Sequence, residues 1–389
     1  MERRAFIKKS GATLAAIMFA PSISRADKPL VKIGYIGPLT GPNAALGLGA
    51  RNSADLAIKQ ANARGNLPYQ FQLVVMDDAS DPSTGVAVAT KLCTVENVAA
   101  ATTHFNSPVA LATIHVFHRY KVPQVMWGTI HPDITNKHNF PEVTRVCATS
   151  TVEHAELMDF VVNKRGYQRW SVLYDTTSYG MSCFEAAKKA LQGNGATILS
   201  EDGVPVGTQD FRPVLSRIKS LSPGPQAIYY GGVVTEAALL RLQMSELGIS
   251  DLLFTGVTGL DSDTFNKTAG GAAEGTLIVG KKAIGEDSEF VKEYKAAGYK
   301  EYYEASGPFA YDATSLIIAA IAKAGPTDKA LLAKTIRGMD FNGVLGPTRF
   351  DEFGQTKTGG LTLKVSQAGK WVPWEGSDYA RGARALPKK

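Results

Sequence analysis

The sequence predicts an α/β protein made of two doubly wound lobes, each a parallel sheet covered by helices. Short apolar runs rich in β-branched and aromatic residues alternate with amphipathic helical stretches along most of the 389 residues. This alternation is typical of parallel sheets that are covered on both faces. The pattern restarts near residue 150, and one sheet rarely holds so many strands. We therefore expect two successive lobes with a ligand cleft between them.

Individual elements follow from the apolar periodicity. In the first series, strands are expected at residues 31–36, 71–76, 98–102, 124–126 and 144–147. The helices between them are expected at residues 47–64, 83–95 and 108–119. In the second series, strands are expected at residues 170–174, 197–204, 227–230 and 252–254. Its helices are expected at residues 153–164, 179–191, 211–220 and 235–247.

The last hundred or so residues continue the same pattern. They predict strands at 276–279 and 361–365 and helices at 306–324 and 328–337. Because this tail must complete both lobes, the chain is expected to cross between them more than once. The first lobe is then expected to comprise residues 27–149 plus about 277–355, and the second about 150–276 plus 356–389.

The first 26 residues have the composition of an export signal. Arg3 and Arg4 open a basic segment, an apolar stretch at 11–20 follows, and small residues precede Asp27. The apolar stretch is too short to span a bilayer, so we interpret the segment as a signal peptide cleaved after Ala26. The arginine pair is similar to a bacterial twin-arginine signal, and an ordinary Sec signal is the alternative. The mature protein is thus expected in the periplasm.

Charge and cysteine content argue against a nucleic-acid partner and a metal site. The net charge is +6, of which residues 1–26 carry +4 and the last nine residues carry +4. The part between them is slightly acidic and has no basic patch. Cys93, Cys147 and Cys183 include no Cys-x-x-Cys pair, so we expect buried, unpaired thiols and no metal.

Several motifs match known patterns only as text. Residues 47–52 lack the third glycine of a dinucleotide fingerprint, and residues 275–281 predict a strand rather than a phosphate loop. His115 and His118 are three residues apart on a helix without an acidic or thiol ligand beside them. The sequence contains no nucleophile elbow and no His-Glu-x-x-His motif. We therefore expect no cofactor and no enzymatic activity.

The main indication of a binding site is a helix N-terminus that follows a strand. Ser107 is a suitable N-cap and Pro108 a suitable first helical residue, and Asn106 precedes them. Exposed backbone N–H groups and the helix dipole at such a turn suit a carboxylate. Loops at 127–132 in the first lobe and at 175–180, 231–234 and 256–259 in the second also follow strands, and ligands bind beyond the carboxyl ends of parallel strands.

A set of short motifs resembles the periplasmic branched-chain amino-acid-binding proteins. The motifs are Ile33-Gly34-Tyr35-Ile36-Gly37-Pro38-Leu39-Thr40-Gly41, Asp77-Asp78 with Asp81-Pro82, Val122-Pro123, Tyr174-Asp175 with Tyr179-Gly180, Tyr230-Gly231-Gly232, Ala272-Ala273-Glu274-Gly275 and Ala310-Tyr311-Asp312-Ala313. The resemblance covers nearly all of residues 31–370. It implies a type I periplasmic-binding fold with three crossovers, and hinge closure around a small molecule. It also implies the role of substrate-binding component of an ABC importer, with a membrane permease as partner. We expect a monomer.

The resemblance also implies site residues. Asn106 and Ser107 fall at the turn that holds the ligand α-carboxylate, Gly128 and Ile130 at backbone-contact positions, and Tyr179 at the tyrosine over the ligand. The complete set of expected ligand-binding residues is Leu46, Asn106, Ser107, Trp127, Gly128, Thr129, Ile130, Tyr179, Val233 and Thr258.

Thr258 departs from the pattern of that family. The residue for the ligand ammonium, usually acidic, falls near Thr258, and an unpaired buried charge costs several kcal/mol. We therefore expect a small carboxylate without an α-ammonium group, with an aromatic acid as one form of it. Asp175, Glu236 or Asp261 could replace the missing acid, which leaves a branched-chain amino acid as the alternative ligand. A ligand-sensing receptor of the same fold is the alternative function.

Overall fold

Two β-sheets organise the chain in the computed structural model, which describes residues 28–387. The expected signal peptide lies outside the described residues. The first sheet contains β1 (Leu30–Gly37), β2 (Gln70–Asp77), β3 (Ala100–Thr103), β4 (Gln124–Met126) and β5 (Val143–Arg145). All five strands are parallel, in the order β2-β1-β3-β4-β5.

The second sheet contains seven strands, in the order β14-β13-β10-β9-β8-β6-β7. They are β6 (Arg169–Asp175), β7 (Thr197–Val204), β8 (Ala227–Gly231), β9 (Leu253–Gly256), β10 (Leu277–Lys281), β13 (Leu361–Gln367) and β14 (Lys370–Pro373). Strands β6 to β10 are parallel, and β13 and β14 extend the sheet in antiparallel pairs. A short separate hairpin pairs β11 (Phe341–Gly343) with β12 (Gly346–Thr348).

Helices follow most of the parallel strands. The first lobe has α1 (Ala44–Arg64), α2 (Pro82–Thr94), α3 (Ser107–Arg119) and α4 (Asp133–Asn136). The second has α5 (Ser150–Met158), α6 (Ser178–Gly193), α7 (Arg212–Lys219), α8 (Val234–Glu246) and α9 (Asp263–Ala269). The helices after β10 are α10 (Glu289–Ala296), α11 (Gly307–Ala324) and α12 (Lys329–Arg337). No helix within residues 28–387 is long and apolar enough to cross a membrane.

The predicted two-lobe α/β class is confirmed, with helices on both faces of each sheet. Residues of α1, α11 and α12 form a buried core on one face of the first sheet, and α2 and α3 pack on the other. In the second lobe, α5 and α6 cover one face, and α7, α8 and α9 cover the other. Cys93, Cys147 and Cys183 are buried and unpaired, as expected.

Capping residues determine where several helices begin and end. Asp81 accepts a hydrogen bond from the Thr84 backbone N–H at 2.7 Å, and Pro82 occupies the first turn of α2, where it needs no donor. Helix α1 ends at Gly65, whose φ of +65° is a left-handed conformation that glycine adopts without strain. Local chemistry of this kind explains why the predicted helices begin within a few residues of the observed ones.

The structure differs from the sequence-based expectations in three respects. Helices α9 and α10, the β11–β12 hairpin and strand β14 were not predicted, because their apolar runs are short. The helix expected at 153–164 is α5 followed by a π-helical turn, Asp159–Lys164. Strand β10 pairs with β9 and β13 in the second sheet, so the lobe boundary expected at about residue 277 is wrong by the length of that strand. The chain returns to the first lobe only after Lys281.

Three crossovers join the lobes: after β5, after β10 and before β13. Arg145, at the end of β5, connects the first crossover to the third. Its Nε donates to Gln355 Oε1 at 2.6 Å, and its Nη1 donates to the His131 carbonyl at 2.7 Å. Its Nη2 donates to Thr135 Oγ1 at 3.1 Å. Burial lowers the pKa of Arg145 to about 10, and the side chain is fully enclosed.

Arg145→Met is expected to destabilise the protein by about 3 kcal/mol, because several buried acceptors lose their donor and each costs about 1–3 kcal/mol. Urea unfolding of the mature protein measures the change. Arg119→Met, at the exposed end of α3, is the matched control and should stay within about 0.5 kcal/mol. Equal stability of the two variants would show that the hydrogen bonds of Arg145 between the first and third crossovers do not stabilise the fold.

Candidate functional site

A cavity of about 280 Å³ lies between the two lobes, beyond the carboxyl ends of the parallel strands. In open α/β sheets this edge is where ligands bind. From the first lobe the lining residues are Pro42, Asn43, Ala79, Ser80, Phe105, Asn106, Pro108 and Gly128. The remaining lining residues are Asp175, Thr177, Tyr179, Val206, Val233, Thr258, Gly259 and Lys281. A groove of about 580 Å³ elsewhere lies between α1, α11 and the hairpin, away from this edge.

The N-terminus of α3 forms part of the first-lobe wall. Asn106 is the N-cap residue, but its side chain makes no capping hydrogen bond, and its buried Oδ1 has no hydrogen-bond partner among residues 28–387. Ser107 is fully buried, and its Oγ accepts hydrogen bonds from the backbone N–H groups of Ile130 at 3.3 Å and His131 at 3.4 Å. Ser107 therefore holds the neighbouring loop in place, while Asn106 presents an unused polar atom at the cavity.

Gly128 permits the close approach of the two loops in the first lobe. A Cβ atom at this position would lie 2.9 Å from the Phe105 Cα and 3.1 Å from the His104 carbonyl oxygen. Such contacts are too short for any side chain, so the wall requires glycine here.

Five of the ten expected site residues line the cavity: Asn106, Gly128, Tyr179, Val233 and Thr258. The other five do not, because they pack into the lobes. Trp127 is fully buried between Tyr35 and Phe105, with ring centroids 6.2 and 6.1 Å away. The remaining four are also buried: Leu46 in the first-lobe core, Ile130 in a second-lobe core, Thr129 against Met126, and Ser107 as described above.

The second-lobe wall contains a tyrosine and a carboxylate that differ in how many hydrogen bonds they make. Tyr179, in the first turn of α6, has a buried hydroxyl that finds no hydrogen-bond partner in the described part of the chain. Asp175 ends β6 and accepts hydrogen bonds from both the backbone N–H and the hydroxyl of Thr177. Burial raises the pKa of Asp175. Sequence analysis suggested three acids that could replace the missing partner of a ligand ammonium. Of these, Asp175 lines the cavity.

The other two suggested acids are engaged elsewhere. Asp261 forms a buried ion pair with Lys364 at 2.8 Å and also accepts the Lys281 backbone N–H at 2.7 Å. Glu236 accepts the Gly207 backbone N–H at 2.9 Å. Neither carboxylate reaches the cavity wall.

Thr258 has a buried acid directly behind it. Its Oγ1 lies 2.9 Å from each carboxylate oxygen of Glu153, which is in the first turn of α5 and 1% exposed. Burial raises the pKa of Glu153 to about 8, although the Thr258 hydroxyl and the nearby Lys281 oppose that rise. Sequence analysis missed Glu153 because nothing in the pattern indicates that the α5 N-terminus contacts the loop after β9.

Lys281 is the second functional candidate that the sequence did not indicate. It ends β10, is 3% exposed, and its Nζ donates to Ser306 Oγ at 2.7 Å. The strand expected at residues 276–279 ends two residues before Lys281, and the sequence analysis gave this lysine no role. Burial lowers the pKa of Lys281, while Glu153 and Asp261 partly offset this shift.

Comparison with known proteins agrees with this architecture. Residues 30–370 match the family model described as periplasmic binding protein. The chain belongs to this family. Leu/Ile/Val-binding protein homolog 2 of Brucella abortus is 30% identical over 356 residues, covering 90% of this chain and 93% of the relative. The resemblance to the branched-chain amino-acid-binding proteins is thus confirmed, and family membership implies a location outside the cytoplasm.

Solved structures with the same fold bind different ligands. The leucine-binding protein LivK of Thermotoga maritima is 26% identical, with a TM-score of 0.81 over 88% of this chain and 97% of that one. An ABC-transporter solute-binding protein of R. palustris, solved with benzoate, is 20% identical, with a TM-score of 0.78 over 88% of this chain and 95% of that one. This periplasmic binding protein is therefore a substrate-binding protein of the LivK type associated with ABC transport.

The stability of the ligand-free protein should depend on pH through Glu153. Its pKa is about 8 in the fold and near 4.5 when exposed, so the folded state binds the extra proton between these values. Stability gained from the protonated acid is complete below about pH 4.5 and is lost as the pH rises towards 8. Relative to Glu153→Gln, the wild type should lose up to about 1.4 kcal/mol per pH unit in this window.

Urea unfolding at pH 5, 6, 7 and 8 tests this dependence. Glu185→Gln on the exposed surface of α6 is the control and should follow the wild type at every pH. Parallel pH profiles for the wild type and Glu153→Gln would contradict the raised pKa.

Proposed function

We propose that this protein is the substrate-binding component of an ABC importer and closes on a small carboxylic acid that lacks an α-ammonium group. An aromatic acid is one form of such a ligand. The protein acts in the periplasm after removal of a twin-arginine-like signal peptide, as a monomer, and transfers its ligand to a membrane permease. It is a binding protein and not an enzyme.

The charge distribution of the cavity wall carries this proposal. By the resemblance to the branched-chain amino-acid-binding proteins, the acid that neutralises a ligand ammonium falls near Thr258, and the Thr258 hydroxyl is hydrogen-bonded to Glu153. At neutral pH a carboxyl group with a pKa of about 8 is mostly protonated and gives little compensation to a cation. A zwitterion would therefore bury its ammonium group with weak compensation, which costs several kcal/mol.

Polar and aromatic groups elsewhere on the wall suit a carboxylate on a flat apolar body. The α3 N-terminus presents helical N–H groups near Asn106 and suits an anion. Phe105 and Tyr179 provide ring surfaces from opposite lobes. The R. palustris protein of the same fold was solved with benzoate, which supports this ligand class as compatible with the architecture.

A branched-chain amino acid is the second candidate ligand. The Brucella abortus relative is named for leucine, isoleucine and valine, and Asp175 is a carboxylate on the wall that could meet an ammonium group. Asp175 already accepts two hydrogen bonds from Thr177, which is why we rank this ligand second. A ligand-sensing receptor remains the alternative function for either ligand.

Calorimetric titration distinguishes the two ligand classes. We expect benzoate or 4-hydroxybenzoate to bind the mature protein at least about 100-fold more tightly than L-leucine, because the leucine ammonium lacks a ready partner. Benzylamine, an aromatic cation of similar size, is the control and should not bind. Sub-micromolar binding of leucine with no response to the aromatic acids would overturn the proposed ligand class.

Small-angle scattering tests the closure mechanism. Hinge motion predicts that the radius of gyration falls when the binding acid saturates the protein, because the lobes close around the cavity. The same protein with benzylamine should keep its free-state curve. Identical curves for the free and the saturated protein would contradict hinge closure.

A further inference from the structure

Lys281 is a buried ammonium group without a carboxylate partner in the described structure. Among residues 28–387, no acidic oxygen lies within 4.0 Å of its Nζ, whereas the neighbouring buried Lys364 pairs with Asp261 at 2.8 Å. A buried cation without an ion pair is costly to the fold. The cavity wall thus contains a charge whose partner is missing from the surrounding protein.

The acids nearest to Lys281 have other partners. Asp261 is held by Lys364 and by the backbone N–H of Lys281 itself. Glu153 is held by the Thr258 hydroxyl. Within residues 28–387 the Lys281 ammonium donates one hydrogen bond, to Ser306 Oγ at 2.7 Å, and an ammonium group has three donors. Further donors therefore remain for a ligand.

Aromatic rings enclose the ammonium without neutralising it. Its Nζ lies 5.4 Å from the ring centroid of Phe309 and 5.9 Å from those of Phe105 and Trp127. Rings at these distances give a cation partial compensation and also exclude water. In such surroundings an anion gains more from contact with the ammonium than it would in water.

We propose that Lys281 is a specificity-determining residue that forms an ion pair with the anionic group of the ligand. This inference rests on the proposed function and deepens it: the site selects its ligand by negative charge, and neutral ligands of the same shape bind more weakly. The alternative is a purely structural lysine that fastens β10 to the start of α11 through Ser306.

The test compares Lys281→Met with the wild type, using benzoate and its neutral analogue benzamide as probes. Methionine has a similar length and no charge. We expect the dissociation constant of benzoate to rise about 100-fold in Lys281→Met, since removal of the ammonium leaves the ligand carboxylate buried without its charge partner. The dissociation constant of benzamide should change less than about threefold. Lys282→Met, at the adjacent exposed residue, is the matched control and should bind both probes as the wild type does.

The melting temperature of the ligand-free variants separates the charge-pairing role from a structural one. Removal of an unpaired buried cation should leave the melting temperature of Lys281→Met equal to or above that of the wild type. A lower melting temperature together with unchanged benzoate binding would show a structural lysine and overturn the proposal.

Titration of the wild type and Lys281→Met with L-leucine distinguishes failure of this inference from failure of the proposed ligand class. If leucine is the tighter ligand and Lys281→Met weakens it about 100-fold, the proposed ligand class fails and the role of Lys281 stands. If Lys281→Met changes the tighter ligand by less than threefold, the role of Lys281 is overturned. If neither probe binds the wild type, a lower melting temperature of Lys281→Met still overturns it, and a higher one supports it.

Discussion

Parallel strand pairing is the constraint on which the rest of this structure depends. It places the carboxyl ends of β1, β3 and β4 at one edge of the first sheet. The carboxyl ends of β6 and of β8 to β10 lie at one edge of the second sheet. The loops that follow, with the N-termini of α3, α6 and α8, then line one cavity between the lobes. No residue of that wall is close in sequence to the residues opposite it, so the site exists only when both sheets have formed.

Buried polar side chains lie where the chain leaves one lobe for the other. Arg145 connects the first and third crossovers through Gln355, and the Asp261–Lys364 pair lies beside the second. Lys281 begins that second crossover and also lines the cavity. The elements that join the lobes and the wall of the cavity are therefore adjacent, an arrangement consistent with the proposed hinge closure.

Most strands and helices of the two lobes could be predicted from sequence, because the strands are continuous apolar runs and several helices begin at capping residues. Ser107 and Pro108 predicted the start of α3 to within one residue, although the N-cap is Asn106 and not Ser107. Asn106, Tyr179 and Thr258 line the cavity. The sheet to which β10 belongs could not be predicted, because an apolar run does not specify its pairing partner. Trp127 and Ile130 are close to wall residues in sequence, but their side chains pack into the hydrophobic cores and do not line the cavity.

The charge that a ligand meets in this cavity cannot be predicted from a single aligned position. Thr258 lines the cavity wall, and the carboxylate of Glu153 lies directly behind its hydroxyl. Both Glu153 and Lys281 became visible only in three dimensions, since a charged residue in a sequence carries no indication of its burial. Their protonation states are coupled, because burial favours the neutral form of each while their mutual attraction favours the charged forms. The charge that a ligand meets is therefore a property of this pair and its surroundings, and Thr258 alone does not determine it.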